Sequence, residues 1–264
     1  MSKSFPRFRR WLIMEILVFD ILGKMAHFRQ YYTNSSSLSY FFPPRTTLSG
    51  MLAGILGLGR DSYYELFSED KTRTALSIRS SLRKKIQTLN YVWAENTRQL
   101  NLSAGKHTQV PLEIVLPRDY QELIVYRVFF WHRDEQLFSR WKEMISKERV
   151  YFPLYLGISE CLAHMAFVGL GEAEREEFEG EVEVSSVVGV EYLKSNGCSL
   201  SLREGVFYVK ELMPFSFDAQ RRLNRPPREF VSEVKTGRIY LRGKGEVYLV
   251  RVAGCEERIV FMED

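Results

Sequence analysis

Residues 122–148 read ELIVYRVFFWHRDEQLFSRWKEMISKE, and how they fold decides how the rest of the chain is read. The first ten, Glu122–Trp131, are rich in β-branched and aromatic side chains, the composition of a strand. From Asp134 the period changes. Leu137, Phe138, Trp141, Met144 and Ile145 recur at helical spacing and form one apolar stripe, with Asp134 as the N-cap. A strand delivered straight into a capped helix raises the question of what surrounds the pair.

Upstream, WLIMEILVFDI (Trp11–Ile21) is apolar on both faces, as a central strand requires. TTLSGMLAGILGLG, residues 46–59, reads as a helix behind Pro43-Pro44, with Thr46 or Thr47 as N-cap. KIQTLNYVW (Lys85–Trp93) and TQVPLEIVL (Thr108–Leu116) are strand-like and flank a polar excursion over 94–107. Downstream, ECLAHMAFVG (Glu160–Gly169) is the closing strand, with His164 expected in the core. The order strand, helix, strand, strand, helix, strand predicts an α+β fold. Residues 1–168 form a ferredoxin-like, RRM-type domain, four strands with two helices on one face. Residues 169–264 read as a β-rich C-terminal region, with short strands at 181–190, 206–212, 238–241, 246–252 and 258–261. Between them PFSFDAQRRLNRPPREFVSEVKTG, residues 214–237, reads as a polar, basic loop.

A chain of 264 residues can bury a real core, and 45% hydrophobic with 27% charged residues is an ordinary globular composition. No apolar run approaches the ~20 residues that span a bilayer. The best candidate, WLIMEILVFDILG, carries Glu15 and Asp20 and no small-residue cleavage site, so neither a membrane span nor a signal peptide is expected. Cys161, Cys198 and Cys255 stand far apart, which argues for a reducing compartment, the cytoplasm, and against a disulfide frame or structural zinc.

Charge is segregated. Residues 1–60 hold eight Lys/Arg against two acids, residues 71–110 eight against one, and residues 220–245 eight against two. Residues 169–191 run the other way, one base against eight acids, and read as a solvated edge. Three basic zones favour a polyanionic partner, nucleic acid first. From Ile21 to Arg60 there is no Asp or Glu, while Phe28, Tyr31, Tyr32, Tyr40, Phe41 and Phe42 crowd among His27, Arg29 and Arg45. Phe41 and Phe42 suit the core. The tyrosines suit stacking on unpaired bases with cations on the backbone, the way single-stranded RNA is held.

Gly50, Gly54 and Gly57 admit two readings, close packing of the helix on the sheet or approach of a phosphate to its start. Arg45, Thr46, Thr47 and Ser49 would add donors there. The 94–107 excursion is too long for an ordinary hairpin turn. Preceded by Arg79, Arg83, Lys84 and Lys85 and carrying Arg98, Lys106 and His107, it reads as a finger that touches RNA. Tyr40, Lys106 and His107 also supply the groups of a metal-independent ribonuclease: a proton shuttle, a cation for the phosphorane and a phenol for the 2′-hydroxyl. No phosphate-binding loop, no Gly-x-Ser-x-Gly and no metal-spaced cluster occurs, so neither a cofactor nor a metal is expected.

GKMAHFRQYYTNSSSLSYFFPPRTTLSGMLAGILG (residues 23–57) resembles the N-terminal signature of the fifth CRISPR-associated (Cas-five) family, in its type I-B version. TQVPLEIVLPRDY (108–120) and FPLYLGISECLAHM (152–165) resemble its later landmarks, so the match covers most of residues 14–168. The resemblance implies a non-catalytic Cascade subunit that caps the crRNA 5′ handle with an RRM-type domain and a long β-hairpin thumb. The implied partners are crRNA, the backbone subunit and the large subunit, and through them target DNA. The implied RNA contacts are His27, Arg29, Tyr31, Tyr32, Tyr40, Arg45, Thr46, Ser49, Gly50, Arg83, Lys84, Lys85, Arg98, Lys106 and His107. A relative in type I-C systems cleaves the CRISPR repeat with Tyr, Lys and His, and Tyr40, Lys106 and His107 invite that comparison. A repeat-cleaving endoribonuclease and a general single-stranded RNA-binding module are the alternatives.

Overall fold

The computed structural model describes residues 13–33, 36–94, 96–97 and 107–264. The first half contains β1 (Met14–Gly23), β2 (Phe28–Arg29), β3 (Ser39–Tyr40), α1 (Arg45–Leu56) and β4 (Thr72–Ile78). It continues through β5 (Leu82–Val92), β6 (His107–Pro117), β7 (Ile124–His132) and α2 (Glu135–Ser146) into β8 (Ala163–Val184). The rest is β9 (Val188–Gly189), α3 (Val190–Ser195), β10 (Ser199–Leu200), β11 (Tyr208–Met213), β12 (Arg228–Glu233), β13 (Ile239–Val252) and β14 (Cys255–Ile259).

The ferredoxin-like unit is present, with neighbouring strands in the order β8-β1-β7-β4, all antiparallel. The sequence reading placed its second strand wrongly. That strand is β4, TRTALSI, a run of small and hydroxylated residues that shows no clear alternation because nearly every residue in it is buried. The strands expected at 85–93 and 108–116 form instead a separate two-stranded ribbon, paired from Leu82↔Pro117 to Val92↔His107. α2 begins as its sequence predicts, Asp134 accepting from the amides of Gln136 and Leu137. α1 does not: Pro44 precedes it without a side-chain cap, and Thr46 and Thr47 lie inside the first turn.

The helices cover one face of the sheet. Trp141 is fully buried, and its indole donates to Leu52 O at 2.8 Å, fixing α2 on α1. The opposite face is covered too, because Ile16, Val18, Ala75 and Phe129 pack with Val250, Val252, Ile259 and Phe261 of the C-terminal hairpin. Bases therefore cannot stack on the open sheet face, and any RNA must be held by loops and edges.

β8 crosses position 168 without a break, pairing with β1 in its first half and with β13 in its second. The segments read as 238–241 and 246–252 are one strand, β13, and the presumed loop of 214–237 contains β12. The acidic stretch is the long arm of β8: among the described residues it pairs with β13 alone from Glu174 onward, so it is an edge with mostly exposed or half-buried side chains, as its composition suggests. Its carboxylates meet arginines across the strands: Glu174 with Arg251 at 3.0 Å, Glu176 with Arg258 at 2.8 Å, and Glu183 with Arg238. His164, expected in the core, is exposed.

Candidate nucleic-acid interface

The aromatic loop between β1 and α1 is built onto β6. Ala26 pairs with Val115 through both backbone groups, at 3.0 and 2.8 Å, and Ser37 bonds to Pro111 O at 3.0 Å and accepts from Glu113 N at 2.9 Å. The pairing Phe28↔Tyr40 closes the loop on itself. Between these anchors Tyr31 and Tyr32 project, 46% and 51% exposed, as an edge-to-face pair with ring centres 5.2 Å apart. Arg29 is exposed beside them. All three are exposed, as a contact with RNA requires.

Several other expected contacts are internal. Tyr40 has no exposed surface, and its hydroxyl donates to Leu212 O at 2.7 Å. Burial, reinforced by Tyr32, raises its phenol well above the usual tyrosine range. It cannot stack on a base or position a 2′-hydroxyl. His27 is buried between Glu113 O at 2.7 Å and the Ser37 hydroxyl at 3.0 Å. Arg45 is 2% exposed, and its guanidinium is taken by Glu263 at 2.7 Å, Phe67 O at 2.7 Å and the Thr72 hydroxyl at 2.8 Å. Ser49 turns back onto Arg45 O at 3.0 Å. Nothing within the segment signals the partners that come from far along the chain, the Glu113 carbonyl for His27 and the Glu263 carboxylate of the C-terminal tail for Arg45.

On the ribbon, Lys85 and His107 are exposed. Arg83 lies over the Tyr120 ring, 4.1 Å from its centre, and donates to Pro117 O at 3.3 Å. Lys84 turns inward, donating to Ser39 O, and is 3.2 Å from Glu113. Arg98 and Lys106 lie outside the described residues.

Beside the loop a groove of about 590 Å³ runs along α1. Thr46, Gly50 and Gly54 form its floor, so these glycines face the groove and not the sheet. Tyr63, Phe152 and Tyr155 form its walls, and Arg60 and Arg221 stand at its rim. Gly157 joins groove to loop: it lines the groove at φ +96°, and a Cβ there would sit 1.9 Å from His27 O. Only glycine allows that approach. Residues 151–155 contributed only a landmark to the sequence reading, although rings beside a proline, without strand or helix period, were a signal of exposure. Among the described residues no group of His, Cys, Asp and Glu is placed to hold a metal ion.

A ferredoxin-like sheet covered on both faces, bearing an aromatic loop, a groove along α1 and a two-stranded ribbon, defines the class of α+β protein to which this chain belongs. The family model described as CRISPR-associated protein (Cas_Cas5) matches residues 16–242, and the chain belongs to that family. Among solved structures, a CRISPR protein from Archaeoglobus fulgidus is 13% identical, over 94% of this chain and 99% of that one, with TM-score 0.52. A further CRISPR-associated protein is 17% identical, over 87% and 93% of the two chains, with TM-score 0.40. A chain of a CRISPR RNA-guided surveillance complex is 12% identical, over 84% and 90%, with TM-score 0.44. At these identities the likeness concerns the fold alone. Comparison with curated proteins finds no match.

Proposed function

We propose that this chain is a crRNA-binding subunit of a type I CRISPR surveillance complex, that it caps the crRNA 5′ handle without cutting RNA, and that it joins backbone and large subunits in the cytoplasm. Family membership supports the CRISPR role. The observation that carries the RNA role is the exposed Tyr31–Tyr32 pair, on a loop that Gly157 ties at His27 O to the arginine-rimmed groove on α1. Exposed rings stack on unpaired bases, while Arg29, Arg60 and Lys85 are placed to meet phosphates. The buried, hydrogen-bonded Tyr40 hydroxyl supports a non-cutting role, since the phenol a repeat nuclease would use points into the protein. Among the described residues no helix is long and apolar enough to cross a membrane.

The test incubates the purified protein in EDTA with labelled repeat RNA and with a mature guide bearing the 5′ handle. Handle-dependent binding with the repeat intact is expected. A discrete product that disappears in His107→Ala would replace the cap with a nuclease, and binding indifferent to the handle would leave a general RNA-binding module.

A further inference from the structure

The loop that carries Tyr31 and Tyr32 is held from outside by two carboxylates and one lysine, each from a different strand. Glu113 of β6 accepts from Ser39 N at 2.9 Å. Glu211 of β11 accepts from Phe41 N with both oxygens, at 3.2 and 3.1 Å. Lys84 of β5 donates to Ser39 O and lies 3.2 Å from Glu113 and 3.5 Å from Glu211. Tyr126 of β7 completes the hold by donating to Phe41 O. The backbone of residues 39–41, paired on one side with Phe28 and Arg29, is thus held on the other by side chains from four further strands, and Glu211, 5% exposed, is the more deeply buried of the two carboxylates.

Two carboxylates sharing one ammonium leave the cluster with one excess negative charge when all three groups are ionised. The ionisable groups facing Glu211 are Lys84 from β5, Glu113 from β6, Tyr32 and Tyr40 from the loop, and Tyr126 from β7. Its partner across β12 is Phe230, which carries no charge, and the neighbouring Lys210–Glu229 pair, 2.7 Å apart, is solvent-exposed. Burial pushes the Glu211 carboxyl up to about 7, against the pull of Lys84 and of the Phe41 amide. Its charge is also felt by Tyr32, the exposed ring of the loop.

We propose that Glu211 is a positioning residue for this loop and that RNA binding takes up one proton at its carboxylate. The inference rests on the RNA-binding reading above. A phosphate chain brought to the loop disfavours the excess negative charge beneath it. A solvent proton on one carboxylate oxygen neutralises the cluster and leaves the other oxygen to accept from Phe41 N. By linkage, if RNA raises the proton affinity of Glu211, then lowering the pH raises the affinity for RNA.

Glu211→Gln keeps an acceptor for Phe41 N and is neutral at every pH. The affinity of the full chain for a guide RNA bearing the 5′ handle, at fixed ionic strength, is expected to fall several-fold from about pH 6 to about pH 8. In Glu211→Gln the fall is expected to be smaller, with the affinity at pH 8 nearer the low-pH value. His107 and His164 are present in both proteins, so their contribution is common to the two curves. An equal slope in the variant, or weak binding by the variant at all pH with unchanged melting, overturns the proposal. Calorimetry on the wild-type protein in two buffers of different ionisation heat gives a second reading without any substitution. Net proton uptake near neutrality is expected, and none would overturn the proposal. In the RNA-free protein the Phe41 amide resonance is expected to shift with pH and to stay fixed in Glu211→Gln. That signal is independent of RNA, so a failed positioning role and a failed RNA reading give different results.

Discussion

Arg45 has the look of a cation waiting for a phosphate, yet its guanidinium is spent inside the protein on Glu263, Phe67 O and Thr72. Arg45→Ala strands the Glu263 carboxylate, 1% exposed, in the interior. Breaking one side of a buried pair costs about 3–5 kcal/mol, so the loss should appear in chemical denaturation, with the RNA affinity of the folded fraction unchanged. Tyr32→Ala should behave in the opposite way. Its ring is half exposed, so stability stays within about 0.5 kcal/mol. RNA affinity drops by about 1–3 kcal/mol, the worth of one stacked base. The reverse pattern would return Arg45 to the RNA and Tyr32 to the fold. Glu211 makes a separate statement about stability. Its folded value of about 7 lies above the ordinary 4.5, so the folded chain holds this proton more tightly than the unfolded one does. The stability it contributes is complete below about pH 4.5 and is lost as the pH rises to about 7, on the order of 3 kcal/mol in all. Denaturant midpoints at pH 5 and pH 8 should differ by more in the wild-type protein than in Glu211→Gln. An equal difference would mean that Glu211 titrates normally.

Among the elements, α1 is the most informative, because its glycines do two different jobs. Gly54 lies in the helix interior on the groove floor, and a Cβ there would meet only Phe152 Cβ, at 4.0 Å. Gly54→Ala should therefore raise stability by up to about 1 kcal/mol, the helix-propensity difference, while narrowing the groove and weakening RNA binding. Gly157 is the contrast: at φ +96° and with His27 O at 1.9 Å, an alanine has neither the conformation nor the space. Gly157→Ala should cost about 3 kcal/mol or more and disturb the loop with it. Thermal melts of the two variants moving in the same direction would refute this assignment. The same contrast explains what the sequence could and could not show. α2 was legible because a capping Asp134 and an apolar stripe are local signals. β4 was not, because a strand buried on both faces among Thr, Ser and Ala loses the period that announces strands. The loop's composition picked out Tyr31, Tyr32 and Arg29 as RNA contacts, and all three are exposed. It could not separate them from Tyr40, Arg45 and His27, whose partners lie between 10 and 218 positions away in the chain.

At the scale of the molecule, the charge zones of the sequence mostly cancel one another. The basic stretch 220–245 is largely consumed by internal partners: Arg221 meets Asp61 at 2.5 Å, Arg225 meets Glu69 at 2.9 Å, and Arg228 meets both Glu69 and Glu191 at 3.1 Å. The acidic arm of β8 is matched by Arg251, Arg258 and Arg238. What remains for a polyanion is one-sided, on the loop, the groove rim and the base of the ribbon, where Arg29 and Lys85 are exposed and Arg60 stands exposed 3.5 Å from Asp61. That asymmetry can be read from the salt dependence of RNA binding. Each phosphate neutralised on a single strand contributes about 0.7 to the negative slope of log affinity against log salt. Three such contacts give a slope of about −2. Lys85→Ala should make the slope shallower by about 0.7, whereas Arg251→Ala, on the paired arm, should leave it unchanged. Surface pairs such as Arg251 with Glu174 are worth about 1 kcal/mol or less, so the second variant stays folded and serves as a control. If the slope instead flattens in Arg251→Ala and not in Lys85→Ala, the RNA runs along the β8–β13 arm, and the loop and groove have another partner.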